Sequence, residues 1–389
     1  MKTFFGLVIV ATASVAHAQS AVSSNAFNPA LSVILDGKYA HYSLDPARYG
    51  ISGFLLGSDA GLAPRGFSLG ESEIAASANV DDRFYGQLTT ALHADGDKTD
   101  VSVEEAFIQT TALPSGFTLK FGRFFSDIGY LNSKHAHAWD FVDQPLAYKA
   151  MLNMQYGDDG VQARWVAPTD LLVELGAEAF RGAQFPAANA THGGVGAWSA
   201  FAHAGGDIGN EQSWRAGVSY LNADSTQRES ALPTGDRLLF DGSDRLWIAD
   251  FVWKWAEHGN PKTRNIVVQG EYLRRQESGA VSDTSVTSNY SGTQQGFYLQ
   301  AVWQFMPRWR VGLRYDKLNA SNRAPALGIM TPLSDTHSPN RTTAMVDFSN
   351  SEFSRLRLQL AEDKSQPQSD TQLTFQYVMS IGAHGAHQF

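Results

Sequence analysis

Residues 295–318 read QGFYLQAVWQFMPRWRVGLRYDKL, in which apolar side chains take alternate positions on both sides of a Pro-Arg pair. Before the pair they are Phe297, Leu299, Ala301, Trp303 and Phe305, and after it they are Trp309, Val311, Leu313 and Tyr315. Successive side chains of a β-strand point to opposite faces, so this period of two predicts two strands joined by a tight turn. One face of each strand is apolar, and the other carries polar residues such as Gln300 and Arg314.

The same alternation recurs along the chain and predicts sixteen strands. We expect them near residues 31–44, 67–80, 83–93, 101–112, 117–128, 160–166, 171–181, 195–204, 212–221, 244–256, 265–275, 295–306, 309–318, 342–348, 352–362 and 371–388. The links alternate between tight turns, such as 168–170, and longer loops, such as 129–159, 222–243 and 276–294. Short turns on one side and long loops on the other are typical of outer-membrane barrels.

Composition excludes several classes of protein. The chain has 389 residues, a formal charge of −9 and no cysteine. Without cysteine there can be no disulfide, thiolate metal site or cysteine nucleophile, and the acidic balance argues against a nucleic-acid partner. After residue 18, no run of about 18 apolar residues could cross a bilayer as a helix.

The alternative of a soluble β-sandwich also has alternating strands. Two features favour a membrane barrel: the links are alternately short and long, and charged strand residues such as Glu174 and Arg357 face away from Trp, Phe and Leu side chains. Lipid leaves no partner for an open sheet edge, so such a sheet must close on itself. We therefore predict an all-β protein, a transmembrane antiparallel β-barrel of about 16 strands with periplasmic turns, extracellular loops and an aqueous interior.

The amino end has the pattern of a secretory signal peptide. Residues 1–18 combine Lys2, an apolar stretch and the small-x-small sequence Ala-His-Ala at 16–18. This pattern predicts export and cleavage before Gln19. We expect residues 19–30 to form a short periplasmic segment and residues 31–389 to form the barrel.

Several stretches resemble a known family. They are NPALSVILDGKYA at 28–40, FSLGESEIAASANVDDRFYGQL at 67–88, FGRFFSDIGYLNSKHAHAWDFVDQPL at 121–146, QFMPRWRVGLRYDKL at 304–318 and FSNSEFSRLRLQ at 348–359. They are similar to porin-like outer-membrane proteins of proteobacteria that are often labelled TonB-dependent or zinc-regulated receptors. The resemblance implies a barrel in the bacterial outer membrane, with metal uptake as a possible theme. TonB-dependent receptors also carry a large plug domain before the barrel, whereas only residues 19–30 precede the first expected strand, so energised uptake is not expected.

The carboxyl end, QLTFQYVMSIGAHGAHQF at 372–389, finishes on Phe389. It resembles the terminal strand by which bacterial outer-membrane proteins are recognised for assembly. The partners expected from this resemblance are the barrel-assembly machinery, outer-membrane lipid and lipopolysaccharide.

The third long loop, 129–159, is the longest expected loop. It resembles the third loop of sixteen-stranded porins, which folds inward and narrows the lumen. Its acids could oppose cations of the wall and select solutes by charge and diameter. The candidate constriction residues are Asp140, Asp143, Asp158 and Asp159, facing Arg123, Arg164, Arg310, Arg314, Arg355 and Arg357. Alternatively, the acids are solvated and the arginines satisfy neighbours on the wall.

A metal site is a second hypothesis for this loop. His135 and His137 would point to one side of an extended segment, and together with Asp140 they offer ligands that suit Zn²⁺. His384 and His387 form a second pair, whose alternative role is to cap the last strand. Neither pair has an evident third and fourth ligand in the sequence.

The sequence shows no hydrolase or nucleotide-binding motif such as G-x-S-x-G, a Walker loop or H-E-x-x-H, so we do not expect an enzyme. We expect a passive diffusion channel for small hydrophilic solutes or ions, without a cofactor, at most mildly ion-selective, with a homotrimer as one assembly. The alternatives are an uptake protein that binds a metal ion or chelate through the third-loop histidines, and a barrel enzyme acting on lipid.

Overall fold

The computed structural model describes residues 29–95, 98–189, 194–232, 236–283, 285–327 and 332–382. Within these ranges seventeen strands form one antiparallel sheet. They are β1 (Ala30–Tyr42), β2 (Gly66–Leu69), β3 (Ser72–Asn79), β4 (Phe84–Asp95), β5 (Lys98–Thr110), β6 (Phe117–Phe125), β7 (Gly157–Val166), β8 (Leu172–Phe180), β9 (Ala197–Ile208), β10 (Gln212–Ala231), β11 (Arg237–Ala256), β12 (Asn265–Ser282), β13 (Thr287–Met306), β14 (Trp309–Arg323), β15 (Asn340–Ser351), β16 (Ser354–Lys364) and β17 (Asp370–Gly382).

The sheet closes on β1. One edge of β1 pairs with β17, from Ser32 opposite Gly382 to Tyr42 opposite Gln372, and the other edge pairs with both β2 and β3. Because β2 and β3 occupy one position between β1 and β4, the barrel has sixteen positions and one extra strand. The predicted all-β closed barrel is therefore confirmed.

The predicted strand at 67–80 is divided in two at Gly70. The amide of Gly70 donates to the carbonyl of Asp36 at 2.8 Å. A Cβ atom at this position would lie 2.1 Å from Asp36 Oδ2, so only glycine fits the break.

The two faces of the barrel differ as the alternation predicts. Outward-facing Leu299 and Leu313 are 54% and 63% exposed, whereas inward-facing Arg314 and Arg357 are 2% and 1% exposed. An apolar outside around a polar inside is the reverse of a water-soluble protein and suits a barrel surrounded by hydrocarbon.

Four strands, β10 to β13, extend at least seven residues further than predicted. β10, β11 and β13 have 20 residues each and β12 has 18, so most of the loops expected at 222–243 and 276–294 are strand. A 20-residue strand spans about 68 Å, although about 9–11 tilted residues are enough to cross a bilayer. Beyond the hydrocarbon the outer face no longer has to be apolar, so the alternation fades while backbone pairing continues.

Within the described ranges, helical structure is confined to short segments of the links. The described residues contain one α-helix, α1 (Leu146–Leu152), and 3₁₀ turns at Pro46–Arg48, Ser58–Ala60, Pro114–Gly116, Ala136–Ala138, Glu257–Gly259 and Pro332–Ser334. No helix in the described ranges has the length and apolar character needed to cross a membrane.

An apolar core lies within the barrel. Two links, residues 43–65 and 126–156, supply much of it and pack against inward-facing wall residues. Its fully buried members include Ile51, Phe54, Ile128, Leu146, Tyr148, Met151 and Leu152 from the links, and Phe124, Phe180, Leu246, Leu273 and Leu318 from the wall. These links fill part of an interior that wall side chains of a sixteen-position barrel cannot fill.

Candidate functional site

Residues 126–156, between β6 and β7, cross the interior of the barrel and are called the inward segment below. Residues 127–130 of the segment form hydrogen bonds with β8, β10 and β12. Residues 139–146 form hydrogen bonds with β14, β15 and β16. In a barrel of sixteen positions, β14 lies half-way round from β6. The segment therefore spans the lumen between opposite walls.

Glu178 on β8 fixes the beginning of the segment. Its buried carboxylate accepts hydrogen bonds from the hydroxyls of Ser126 and Ser199. It also accepts from the amide of Asp127 at 3.0 Å and from the side chain of Gln162 at 2.7 Å. One wall carboxylate thus accepts from four donors, and two of them, on Ser126 and Asp127, lie where the chain leaves the sheet.

Glu271 on β12 holds the next turn. Its carboxylate accepts from the amides of Tyr130 and Leu131 at 3.0 and 3.1 Å. It also accepts from the hydroxyls of Tyr148 and Tyr298 at 2.8 and 2.7 Å. Because Tyr148 belongs to α1, this single carboxylate connects two parts of the inward segment to the wall.

Gly129 makes this close approach possible. Its φ is +67°, and its amide donates to Ser219 Oγ on β10 at 3.0 Å. A Cβ atom at position 129 would lie 2.4 Å from Glu271 Oε2. Both the backbone conformation and the contact with the wall therefore require glycine.

Asp143 attaches the segment to the wall opposite β6. Its carboxylate lies 3.0 Å from Arg314 Nη2 on β14, forms an ion pair with Arg341 on β15, and lies 3.7 Å from Lys149 Nζ on α1. The side chain of Gln359 donates to the same carboxylate at 3.2 Å. Three cations thus surround one carboxylate, whose side chain is 17% exposed.

These contacts shift the pKa values of the segment's charged groups. Burial alone would raise the pKa of the Asp143 carboxyl, but Arg341, Arg314 and Lys149 outweigh burial and hold the pKa below its usual range. Burial lowers the pKa of Lys149 to about 8, and Asp143 acts in the opposite direction. The Asp143 carboxylate is therefore charged at neutral pH.

Asp140 forms a second ion pair with the same wall. Its carboxylate lies 2.9 Å from Arg310 Nη1, and Arg310 also pairs with Asp347 at 2.6 Å. Arg355 and Arg357 on β16 donate instead to backbone carbonyls of the segment, those of His137 and Trp139, at 2.7 and 2.8 Å. These arginines therefore hold the segment in place.

The structure brings together part of the predicted constriction. Asp140 and Asp143 contact Arg310 and Arg314 directly, so these charges neutralise one another at bonding distance and do not face each other across open water. This arrangement corresponds to the alternative in which the wall arginines satisfy neighbours, here the inward segment itself.

Four of the predicted constriction residues lie elsewhere. The prediction that Asp158 and Asp159 belong to the loop is wrong, because both lie on β7. Asp158 is buried and accepts from the amides of Gly182 and Ala183 at 2.8 and 2.6 Å. Arg164 lies 3.7 Å from Glu174 on the neighbouring strand β8.

Arg123 and Asp159 form an ion pair on the outer face, with Nε and Oδ1 2.8 Å apart. Arg123 is two residues from Phe121 and Asp159 is two residues from Val161, so each lies on the same strand face as that apolar residue. Phe121 and Val161 are 47% and 45% exposed. Their predicted place at the constriction is therefore wrong. The alternation of residues 121–123 already contained this signal, since Phe121 and Arg123 must share a face.

The predicted metal triad is also rearranged. Asp140 lies with Arg310, whereas His135 and His137 meet three wall glutamates, Glu73, Glu104 and Glu105. His135 Nε2 is 2.9 Å from Glu105 Oε2, and His137 Nδ1 is 2.8 Å from Glu73 Oε1. His384 and His387 lie outside the described residues.

A β-bulge brings two consecutive glutamates into the lumen. In the pairing of β4 with β5, Thr89 lies opposite Glu105 and Thr90 lies opposite Val103, so Glu104 is an extra residue. Val103 is 40% exposed on the outer face, and Glu105 is buried inside. The extra residue reverses which alternate residues of β5 face the lumen. It also directs the carboxylates of Glu104 and Glu105 toward His135.

Burial and charge act in opposite directions on His135. Burial alone would lower the pKa of its imidazole, but the carboxylates of Glu104 and Glu105 outweigh burial and raise the pKa well above its ordinary value.

Comparison with known proteins places the chain in a family. An uncharacterized protein of Aquifex aeolicus (strain VF5) is 33% identical over 342 residues, which are 84% of this chain and 70% of that protein. The chain belongs to the family of this Aquifex protein. No protein-family model matches the chain.

Solved structures show that this family member has the fold of outer-membrane porins. A loop-deletion mutant of OmpT, an outer-membrane protein of Vibrio cholerae, has a TM-score of 0.56 at 10% identity and covers 91% of this chain and 99% of its own. Pseudomonas putida OprB has a TM-score of 0.54 at 12% identity, covering 91% and 94%. An anion-selective porin from Comamonas acidovorans has a TM-score of 0.53 at 9% identity, covering 91% and 99%. The chain accordingly has the closed β-barrel fold that these outer-membrane proteins share.

Sequence reasoning missed several residues that hold the inward segment of this family member. They are Glu73, Glu104, Glu105, Lys149, Glu178, Glu271 and Arg341. The alternation indicates which strand residues face inward. It contains no information about which loop residue each of them meets.

Proposed function

We propose that this protein is a channel for passive diffusion of small hydrophilic solutes or ions across the outer membrane, with a lumen narrowed by the inward segment. The proposal rests on a single observation, that residues 126–156 leave the wall at β6, cross the interior and are fixed by Asp143 to Arg314 on β14, half-way round the barrel. The porin fold and the polar inner face of the barrel support it. Porin-type selection by diameter and charge then depends on this segment.

Conductance measurements test this proposal. The protein is reconstituted into a planar bilayer, and single-channel steps are recorded in symmetric salt. We expect stable steps of a small size, set by the narrowed lumen. An absence of conductance at every voltage in correctly folded protein would overturn the proposal.

A comparison of variants tests whether the inward segment sets the conductance. In Asp143→Asn the attachment to β14 and β15 is weakened, so the segment should move and the single-channel conductance should rise. Asp207→Asn, which changes an exposed residue at the end of β9, is the matched control and should keep the wild-type conductance.

We further propose that the protein works as a homotrimer without enzymatic activity. The trimer form of OmpT of Vibrio cholerae, with a TM-score of 0.54 at 8% identity, supports this assembly. Light scattering of the protein in detergent tests the trimeric assembly, and a monomer mass would contradict the trimer.

The signal peptide at 1–18, the segment at 19–30 and Phe389 belong mostly or wholly to residues outside the described ranges. Cleavage after Ala18, contacts with lipid and lipopolysaccharide, and recognition by the barrel-assembly machinery through Phe389 remain proposals. Mass spectrometry of the mature protein tests the cleavage site.

A further inference from the structure

The lumen contains a group of metal-ligating side chains from three elements. Glu73 comes from β3, Glu104 and Glu105 come from the bulge of β5, and His135 and His137 come from the inward segment. In the described part of the chain, no lysine or arginine forms an ion pair with any of these three carboxylates. The group therefore has an excess of negative charge.

Two atoms of this group lack hydrogen bonds. Glu104 Oε2 and His135 Nδ1 are buried, and within the described residues neither has a hydrogen-bond partner. They lie 3.4 Å from each other without hydrogen-bond geometry, and the Glu104 side chain is 10% exposed. A buried carboxylate oxygen and a buried imidazole nitrogen directed at one point need a common partner, because leaving them unsatisfied is unfavourable.

Two of the three separations between ligand atoms match those of a tetrahedral metal ion. His135 Nδ1 is 3.4 Å from Glu73 Oε2 and 3.4 Å from Glu104 Oε2, and the three ligand atoms lie within 4.8 Å of one another. Zn²⁺ bonds of about 2.0–2.1 Å to nitrogen and oxygen place neighbouring ligand atoms of a tetrahedral site about 3.3–3.4 Å apart. Both separations from His135 Nδ1 therefore already have this length.

The surrounding contacts orient the ligands. His135 Nε2 lies 2.9 Å from Glu105 Oε2, which is the carboxylate–histidine contact that usually accompanies a metal-bound imidazole. Glu105 is itself held by the side chain of Gln87 at 3.2 Å and by the amide of Phe125 at 3.3 Å. The second oxygen of Glu73 is 2.8 Å from His137 Nδ1.

We propose that Glu73, Glu104 and His135 bind a divalent transition-metal ion of the Zn²⁺ class, and that Glu105 and His137 orient the ligands. The bound ion joins the inward segment to β3 and β5, whereas Asp143 joins it to β14 and β15. This site is distinct from channel activity, so either proposal can fail without the other.

Calorimetric titration with ZnCl₂ tests the site in the full chain, refolded in detergent and without a histidine tag. We expect saturable binding of one ion in the wild type. His135→Ala and Glu104→Gln should each weaken binding at least about 10-fold, because the first removes the imidazole ligand and the second removes the charge of a carboxylate ligand.

Matched controls separate this site from other histidines. His258→Ala removes an exposed histidine that lies 3.6 Å from Glu211, and it should keep the wild-type affinity. His384→Ala/His387→Ala should keep it as well. Binding that survives in both His135→Ala and Glu104→Gln, or that disappears in the double His384/His387 variant, would overturn the proposal.

Cobalt spectroscopy of the wild type gives a second test that needs no variant. Co²⁺ bound at the proposed site should show the intense visible bands of tetrahedral coordination, and excess Zn²⁺ should remove them. A weak octahedral spectrum, or no saturable binding, would show that these residues form only a histidine–carboxylate network and would overturn the proposal.

Discussion

The carboxylate of Asp143 in the inward segment lies 3.0 Å from the guanidinium of Arg314, on the strand half-way round the barrel from β6. Arg314 is also 3.1 Å from Asp316, whose carboxylate accepts the amide of Leu146 at 3.0 Å. Arg314 and Asp316, two residues apart on β14, thus hold both Asp143 and Leu146, the first residue of α1. A segment that leaves one side of the barrel is held on the other.

Asp143→Asn should destabilise the inward segment. The change leaves Arg314, Arg341 and Lys149 buried with less compensating charge, and loss of one partner of a buried ion pair typically costs about 3–5 kcal/mol. We expect faster proteolysis within 126–156 and a lower thermal midpoint in detergent. The control is the exposed Asp207→Asn, and equal proteolysis of the two variants would contradict this assignment.

The contribution of Asp143 should depend on pH. Its pKa in the folded protein lies below the value of about 3.9 expected in the unfolded chain, so its stabilisation is complete above about pH 4 and is lost as the pH falls further. The difference in thermal midpoint between wild type and Asp143→Asn should be constant between about pH 5 and 7 and should shrink at about pH 3. A difference that grows on acidification would contradict the sign.

Gly129→Ala should destabilise the protein more than an alanine at another glycine of the same conformation. Gly129 has φ +67° and a Cβ there would meet Glu271 Oε2 at 2.4 Å, whereas Gly209 has φ +65° and nothing within 4 Å of a Cβ. Gly209→Ala therefore measures backbone strain alone, expected at about 1–2 kcal/mol. The excess in Gly129→Ala, seen in thermal melts, reports the contact with Glu271, and equal effects would show that the contact is unimportant.

Arg123→Ala should leave the channel unchanged. The Arg123–Asp159 pair lies on the outer face beside exposed Phe121, so its loss should alter neither single-channel conductance nor the reversal potential in asymmetric salt. Arg310→Ala, which removes a partner of Asp140 inside the barrel, should alter conductance. A change in Arg123→Ala as large as that in Arg310→Ala would place Arg123 in the conduction path.

The alternation of the sequence predicts the barrel well because every spanning residue faces one of two media. Phe297 to Phe305 could be placed on the outer face from their spacing, and all sixteen strand positions follow from the same rule. The rule becomes weaker where strands leave the hydrocarbon, and the ends of β10 to β13 were therefore predicted too short. It also fails at Glu104, because a bulge inserts one residue and exchanges the two faces.

A closed sheet with an apolar outside, a polar inside and one exceptionally long link after β6 could be predicted from the amino-acid sequence. The course of that link and the partner of each wall charge became evident only in the folded barrel. Alternation is a local property, because lipid on one face of each strand sets it. The partners of Asp143, Glu271 and His135 come from strands distant in sequence, and their meeting depends on how the chain fills the space that the closed barrel encloses.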